Sequence, residues 1–366
     1  AILGSRQIVR FMLLFFAVVL ISPTREFMRK LITLMLGLVL FESLLGILQA
    51  ATLGALDAFL LPSERRVYAS IQLTGGTEQF WAPGQRVFGT LGRYDQLGLF
   101  LCFFMLLLTG WFYEIKKGKW HRYFFTLFTV GSIALILTYS RASWFGFLLG
   151  FLYIAVRIKK DKKILAGFLA TVAIIASYAV WSGVVVRYLT DLPEQTILAR
   201  LLEAFSYERY RGEYFGYGRV YWFVNTPLVV VPASPLFGHG PGSYGGGAAA
   251  VLANTSVYDK LGLPFGVYGT EGYIDNNWFS LWGEIGTLGL ALCVWMFVIL
   301  FRAAGTVYRE SKDPLMRGMA LGYMGATLAF ALQALLGTYV EVRTISLYFW
   351  LFGAMLVVAG RREKLL

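Results

Sequence analysis

The sequence predicts an all-α, polytopic integral membrane protein with about nine transmembrane helices and a long extracytoplasmic loop carrying short helices. Three observations predict it. Of the 366 residues, 57% are hydrophobic and only 15% charged, and mean hydropathy is +0.62, far from a soluble average. Apolar runs of roughly 17 to 25 residues recur along the chain. The connections between them sort by charge, which is how a membrane protein records its orientation. The chain reads as a single transmembrane domain over 1–366, and no nucleic-acid partner is expected.

The runs fall near 7–22, 31–50, 95–113, 123–139, 142–157, 164–186, 277–301, 318–338 and 344–360. Four connections are short and basic: 114-EIKKGKWHR-122, 157-RIKKDKK-163, 302-RAAGTVYRESKDPLMR-317 and the tail 361-RREK-364. The positive-inside rule assigns these to the cytoplasm, with the C-terminus. The outer loop 51–94 and the long loop 187–276 then lie outside. Parity puts the first residue outside as well. An apolar run follows Ala1 closely without a small-residue cleavage site, so an odd number of upstream spans is expected to precede the chain. Cys102 and Cys293 both sit inside apolar runs, where they read as packing residues rather than a disulfide or metal pair.

Basic residues divide by type as well as by side. Every lysine except Lys260 falls on the cytoplasmic side, whereas the outer side carries Arg65, Arg66, Arg86, Arg93, Arg141, Arg187, Arg200, Arg209, Arg211, Arg219 and Arg343. A guanidinium stays charged and grips two phosphate oxygens at once, so this bias points to an anionic ligand at the outer leaflet. Anchoring to lipid head groups is the structural alternative for any one of them. It fits Arg141 least, because 138-TYSRASW-144 is too short a turn to leave that charge free of protein contact.

In the long loop, Asp191 and Pro193 are expected to open a helix running to about Phe205, with Ile197, Leu198, Leu201, Leu202 and Phe205 as a membrane-facing side. A tyrosine-rich stretch, 207-YERYRGEYFGYGRVYW-222, follows. Its aromatic rings suit an interfacial belt or stacking on sugars. Next comes 232-PASPLFGHGPGSYGGG-247, whose Gly and Pro content excludes regular structure and lets backbone N–H groups approach a ligand. Dinucleotide, P-loop and zinc-protease motifs do not occur, and neither a metal nor a cofactor is expected. The densest polar cluster is 270-TEGYIDNNWFSLWGEIGTLGL-290, where Glu271, Asp275, Asn276 and Asn277 crowd the entrance of an apolar run that itself holds Glu284. Asp and Asn there suit either chemistry or an N-cap.

Four segments, in order over roughly 85 to 300, resemble bacterial O-antigen ligases and polymerases. The stretch 88-FGTLGRYDQLGLFL-101 is similar to the family's Gly-Thr segment opening an early span, and 138-TYSRASWFGFLLG-150 to its Ser-Arg span turn. The pair 218-GRVYW-222 and 235-PLFGHGPGSY-244 resembles its Arg…Trp…Pro-Leu-Phe-Gly-x-Gly-Pro-Gly element. Finally, 275-DNNWFSLWGEIGTLGL-290 resembles its His-Asn-x-x-Leu…Glu-x-Gly-x-x-Gly-Leu pattern.

The resemblance implies a GT-C-like glycosyltransferase of the bacterial inner membrane, working on the extracytoplasmic face without metal or nucleotide sugar. Its donor would be an undecaprenyl-pyrophosphate-linked oligosaccharide, and its acceptor a glycan or lipid hydroxyl. By this carry-over Arg141 and Arg219 form a pyrophosphate clamp. Asp275 stands where the ligases carry a histidine, so it would take the acceptor's proton from an unperturbed pKa near 4. Arg93, where the family often has Asn, joins Arg86, Glu271, Asn276, His239 and Tyr244 as expected substrate contacts. Absence of the histidine favours a polymerase of surface-polysaccharide repeat units over a ligase or a protein glycosyltransferase. A small-anion carrier and a non-catalytic membrane subunit are the rivals. The carrier is disfavoured because no internal repeat is seen and Glu42 and Glu284 are nearly the only charges within spans.

Overall fold

An apolar segment in hydrocarbon satisfies its backbone only by closing its own hydrogen bonds, and the long apolar runs do so as helices. The computed structural model describes residues 2–61, 66–68, 71–74, 84–115, 118–187 and 196–366. In chain order the first elements are α1 (Ile2–Ile21), α2 (Arg25–Ala51), α3 (Asp57–Leu60), β1 (Arg66–Tyr68), β2 (Ile71–Thr74), α4 (Tyr94–Glu114), α5 (Lys119–Leu137), α6 (Arg141–Leu152) and α7 (Lys162–Trp181). The long loop holds α8 (Ile197–Leu202), α9 (Tyr207–Phe215), α10 (Arg219–Asn225), α11 (Val231–Ala233), α12 (Gly247–Val251) and α13 (Ser256–Leu261). Three long helices finish the chain: α14 (Asn277–Glu310), α15 (Pro314–Gln333) and α16 (Arg343–Arg362). A π-helical stretch, Tyr153–Ile158, extends α6.

Among the described residues, nine helices are long and apolar enough to cross a membrane: α1, α2, α4, α5, α6 with its extension, α7, α14, α15 and α16. This is compatible with a multi-pass membrane protein. Among the described residues the fold is helical, with one short antiparallel hairpin, β1–β2, between α3 and α4. There the chain alternates residue types over too short a run to make a helix.

The core is built around α4, in which every residue from Leu97 to Trp111 is buried. Its closest neighbour is α15. A Cβ added to Gly110 would lie 2.1 Å from the Gly318 carbonyl oxygen and 2.5 Å from the Gly322 nitrogen, so the two backbones touch through small residues. Phe349 of α16 stacks on Tyr323 and Phe297, with ring centroids 5.2 and 4.7 Å away, locking α14, α15 and α16 together.

Ion pairs gather the basic connections at one end of the bundle. Arg25 meets Glu363 at 2.6 Å, Arg29 meets Asp313 at 3.1 Å, and Glu114 holds both Lys159 and Arg317. The long loop closes over the opposite end, where Asn277 N–H donates to Ala334 O (2.8 Å) and Arg200 to Tyr139 O (3.4 Å). The charge sorting read along the chain is therefore a sorting between two ends of one bundle.

Candidate functional site

At the loop-covered end, four arginines from four different elements face one pocket of about 200 Å³. Arg141 is the first residue of α6, set there by a tight reversal in which Tyr139 takes a φ of +55°. Arg200 lies on α8, whose N-cap is Thr196, accepting from Ala199 N–H. Ser206 caps α9 and accepts from Arg209 N–H (3.3 Å). Arg219 opens α10 after Gly218. The expected opening of the α8 helix at Asp191 and Pro193 lies outside the described residues, as does Arg65.

The arginines do not simply repel one another, because carboxylates stand among them, and one of these, Glu203, meets three of the four. Glu203 is fully buried; its Oε2 lies 3.1 Å from Arg141 Nη1 and 2.8 Å from Arg200 Nη1, and its Oε1 lies 2.5 Å from Arg209 Nη1. Arg209 also bonds Glu213 at 3.1 Å. Buried charges persist only when paired in this way. Glu203 so fixes three guanidiniums in the wall of the pocket. Tyr94 and Tyr339 line it too. Burial holds the Tyr339 phenol neutral, well above its usual pKa, so it remains a hydrogen-bond donor.

Arg219 faces Asp275, Nη2 to Oδ2 at 3.2 Å. Burial is the largest influence on Arg219 and acts to lower its pKa, but Asp275, Glu213 and Tyr339 together outweigh it and raise it. For Asp275, burial is again the leading cause and pushes the carboxyl above its ordinary 3.8, against the opposing fields of Arg219 and Arg93. The pair is packed on one side and open on the other: 28% of the Arg219 side chain and 36% of the Asp275 side chain stay accessible. Asp275 has a φ of +51°, and it is not the helix cap. The N-cap of α14 is Asn276, whose Oδ1 accepts from Phe279 N–H at 3.1 Å. Of the two roles weighed for this cluster, the cap belongs to Asn276 and not to Asp275.

The other expected contacts divide. Arg93 is half-exposed and forked onto Asp95 (3.1 and 3.2 Å), near enough for both to act on Asp275. Arg86 is buried with its guanidinium 4.7 Å from the ring centre of Tyr94, so it stands behind the pocket wall. Asn276 is buried as the cap, and Glu271 is exposed. His239 Nε2 lies 3.1 Å from Val230 O, and Tyr244 is fully buried with its hydroxyl 2.7 Å from Thr226 Oγ1. Neither lines the arginine pocket; both belong to the packing of the outer lobe.

The two glycine-rich segments form a structural joint. Glu284 Oε1 accepts from the backbone N–H of Gly242 (2.9 Å) and Tyr244 (3.4 Å). Gly286 kinks α14 at a φ of +67°, and a Cβ there would lie 2.3 Å from Leu236 O. The Gly-Pro loop and the Glu-x-Gly pattern of α14 thus specify each other's shape.

Sequence reading missed Arg200 and Arg209 as pocket residues, and Glu203, Glu213 and Tyr339 altogether. A signal was present: Arg200–Glu203 and Arg209–Glu213 are spaced i,i+3 and i,i+4, the helical distances for ion pairs. Among the described residues no group of three or more His, Cys, Asp or Glu side chains is placed to hold a metal ion. No family model and no curated protein matches the chain.

Proposed function

We propose that this chain transfers a glycan from a lipid pyrophosphate carrier to an acceptor hydroxyl, joining repeat units of a surface polysaccharide on the extracytoplasmic face of a bacterial inner membrane. The observation that carries this reading is the convergence of Arg141, Arg200, Arg209 and Arg219 on one pocket. The likeness of the motifs to O-antigen polymerases and ligases supports it, as does the basic ion-paired end, which the positive-inside rule expects on the cytoplasmic side.

In this reaction the bond from the sugar's anomeric carbon to the pyrophosphate oxygen breaks, and the bond from that carbon to the acceptor oxygen forms. The leaving oxygen keeps the electron pair, so negative charge grows on the pyrophosphate. Guanidiniums already fixed around it stabilise that charge without reorganising. Asp275 takes the acceptor proton. Its place beside Arg219, Oδ2 to Nη2 at 3.2 Å, keeps the proton acceptor at the edge of the arginine cluster.

The test is polymer formation from purified lipid-linked repeat units. Arg219→Lys and Arg141→Lys keep the charge but lose the fork, and transfer is expected to fall on the order of 10² to 10³-fold with folding intact. Near-normal polymer formation by both variants would overturn the reading.

A further inference from the structure

A second cavity adjoins the arginine pocket. It is an apolar slot of about 470 Å³ between α6 and α7, closed at one end by α8. The two cavities share Phe145. Their common wall is α8 with the 3-10 turn Glu203–Phe205 that continues it, and its faces divide: Arg200 and Ala204 line the pocket, while Leu201 and Phe205 line the slot. Each pair is four residues apart, one helical turn.

The slot exists because α7 stands away from the bundle. Ala179 is its one buried residue. A Cβ added to Gly167, which lines the slot, would meet nothing within 4 Å. The helix is tied at its ends instead. Asp161 caps it at one, and at the other Ala179 packs with Val184 and Leu202 while Tyr207 N–H donates to Val185 O (2.9 Å). From Lys163 to Ala176 the slot follows α7 for about 20 Å at the helical rise, roughly two thirds of a bilayer's hydrocarbon core.

We infer that this slot holds the chain of the carrier lipid, entering sideways from the bilayer between α6 and α7, with its pyrophosphate in the arginine pocket. The inference rests on the transfer reading and adds where the donor's chain lies. The occupant is a single long prenyl-type chain, because a narrow apolar slot that ends at clustered guanidiniums matches one tail joined to one strongly anionic head. Moving a chain from lipid into the slot gains little hydrophobic free energy, since both surroundings are apolar. The slot's contribution is orientation: it holds the head at the pocket and directs the glycosidic bond toward Asp275.

The experiment uses the full chain in phosphatidylethanolamine–phosphatidylglycerol vesicles with a polyprenyl pyrophosphate bearing a diazirine on its chain. Photolabelling is expected on peptides within 145–176 and 201–205. Excess inorganic pyrophosphate should suppress it by occupying the arginines. Gly167→Trp, which fills the slot without touching the pocket or the packed core, should reduce it about tenfold or more. Labelling centred elsewhere overturns the inference. So does equal labelling of the same peptides by a diazirine phosphatidylglycerol together with indifference to pyrophosphate, which would make the slot an ordinary bilayer contact. Failure of the transfer reading looks different: slot labelling as expected, but no transfer when the same lipid carries a glycan.

Discussion

Two buried glutamates, Glu203 and Glu284, solve the same electrostatic problem with different partners. Glu203 is surrounded by the guanidiniums of Arg141, Arg200 and Arg209, whereas Glu284 accepts from the backbone N–H groups of the 242–244 loop. Backbone donors are fixed by the chain and have nowhere else to turn. Arginine side chains retain further donors and can share themselves between a carboxylate and an incoming anion. The first arrangement is an ion-pair cluster in the wall of a pocket; the second is a joint between a loop and a kinked helix.

Removing the charge of Glu203 should have the largest effect. Glu203→Gln removes the buried charge that three guanidiniums share, which costs about 3–5 kcal/mol for a broken buried pair. The thermal unfolding midpoint in detergent should drop accordingly. Added inorganic pyrophosphate should recover much of that drop, and recover more than it adds to the unaltered chain, because the anion replaces the missing carboxylate. A variant that pyrophosphate does not rescue would remove the distinction between the two glutamates.

Glu284→Gln is the milder case. The amide oxygen still accepts from Gly242 and Tyr244, so the loss is expected near 1–3 kcal/mol, set by the weaker bonds and by one amide donor needing a partner. Pyrophosphate should leave this variant's midpoint where it was. Rescue comparable to that of Glu203→Gln would show that the 242–244 loop also contacts the anion.

Asp275 provides the finest test. Its folded pKa lies above the unfolded value, so its contribution to stability is fully present below the unfolded pKa and is lost as pH rises through the folded one. Proton acceptance requires the carboxylate, so transfer should instead rise with pH across that window. Asp275→Asn should flatten the stability slope just above the ordinary 3.8, measured as the unfolding midpoint from about pH 4 to pH 7, and should abolish transfer. Because Asn276 is the cap of α14, the fold should survive. Full transfer by this variant would remove Asp275 from the chemistry and leave the arginines alone at the site.

Much of the fold was legible in the sequence. Each expected span overlaps an observed helix, because a run of apolar residues has one way to satisfy its backbone in hydrocarbon. Arg141, Arg219 and Asp275 were legible as well, since a charge confined beside an apolar run stands out in one dimension. Arg200, Arg209 and Glu203 were not singled out, lying in a loop already rich in charge. His239 and Tyr244 drew notice within a glycine-rich motif whose work is to fit α14.

What the sequence alone determined is a helical chain, the approximate places of the nine long apolar helices among the described residues, and the charge difference between their ends. These follow from composition and period, which are local. Only the tertiary structure decided which arginines share a carboxylate, that Asn276 rather than Asp275 caps α14, and that one face of α8 lines a charged pocket while the next lines an apolar slot. Those outcomes depend on contacts between residues far apart in the chain, such as Arg141 with Glu203 and Arg219 with Asp275, and no local pattern encodes which pairs will meet.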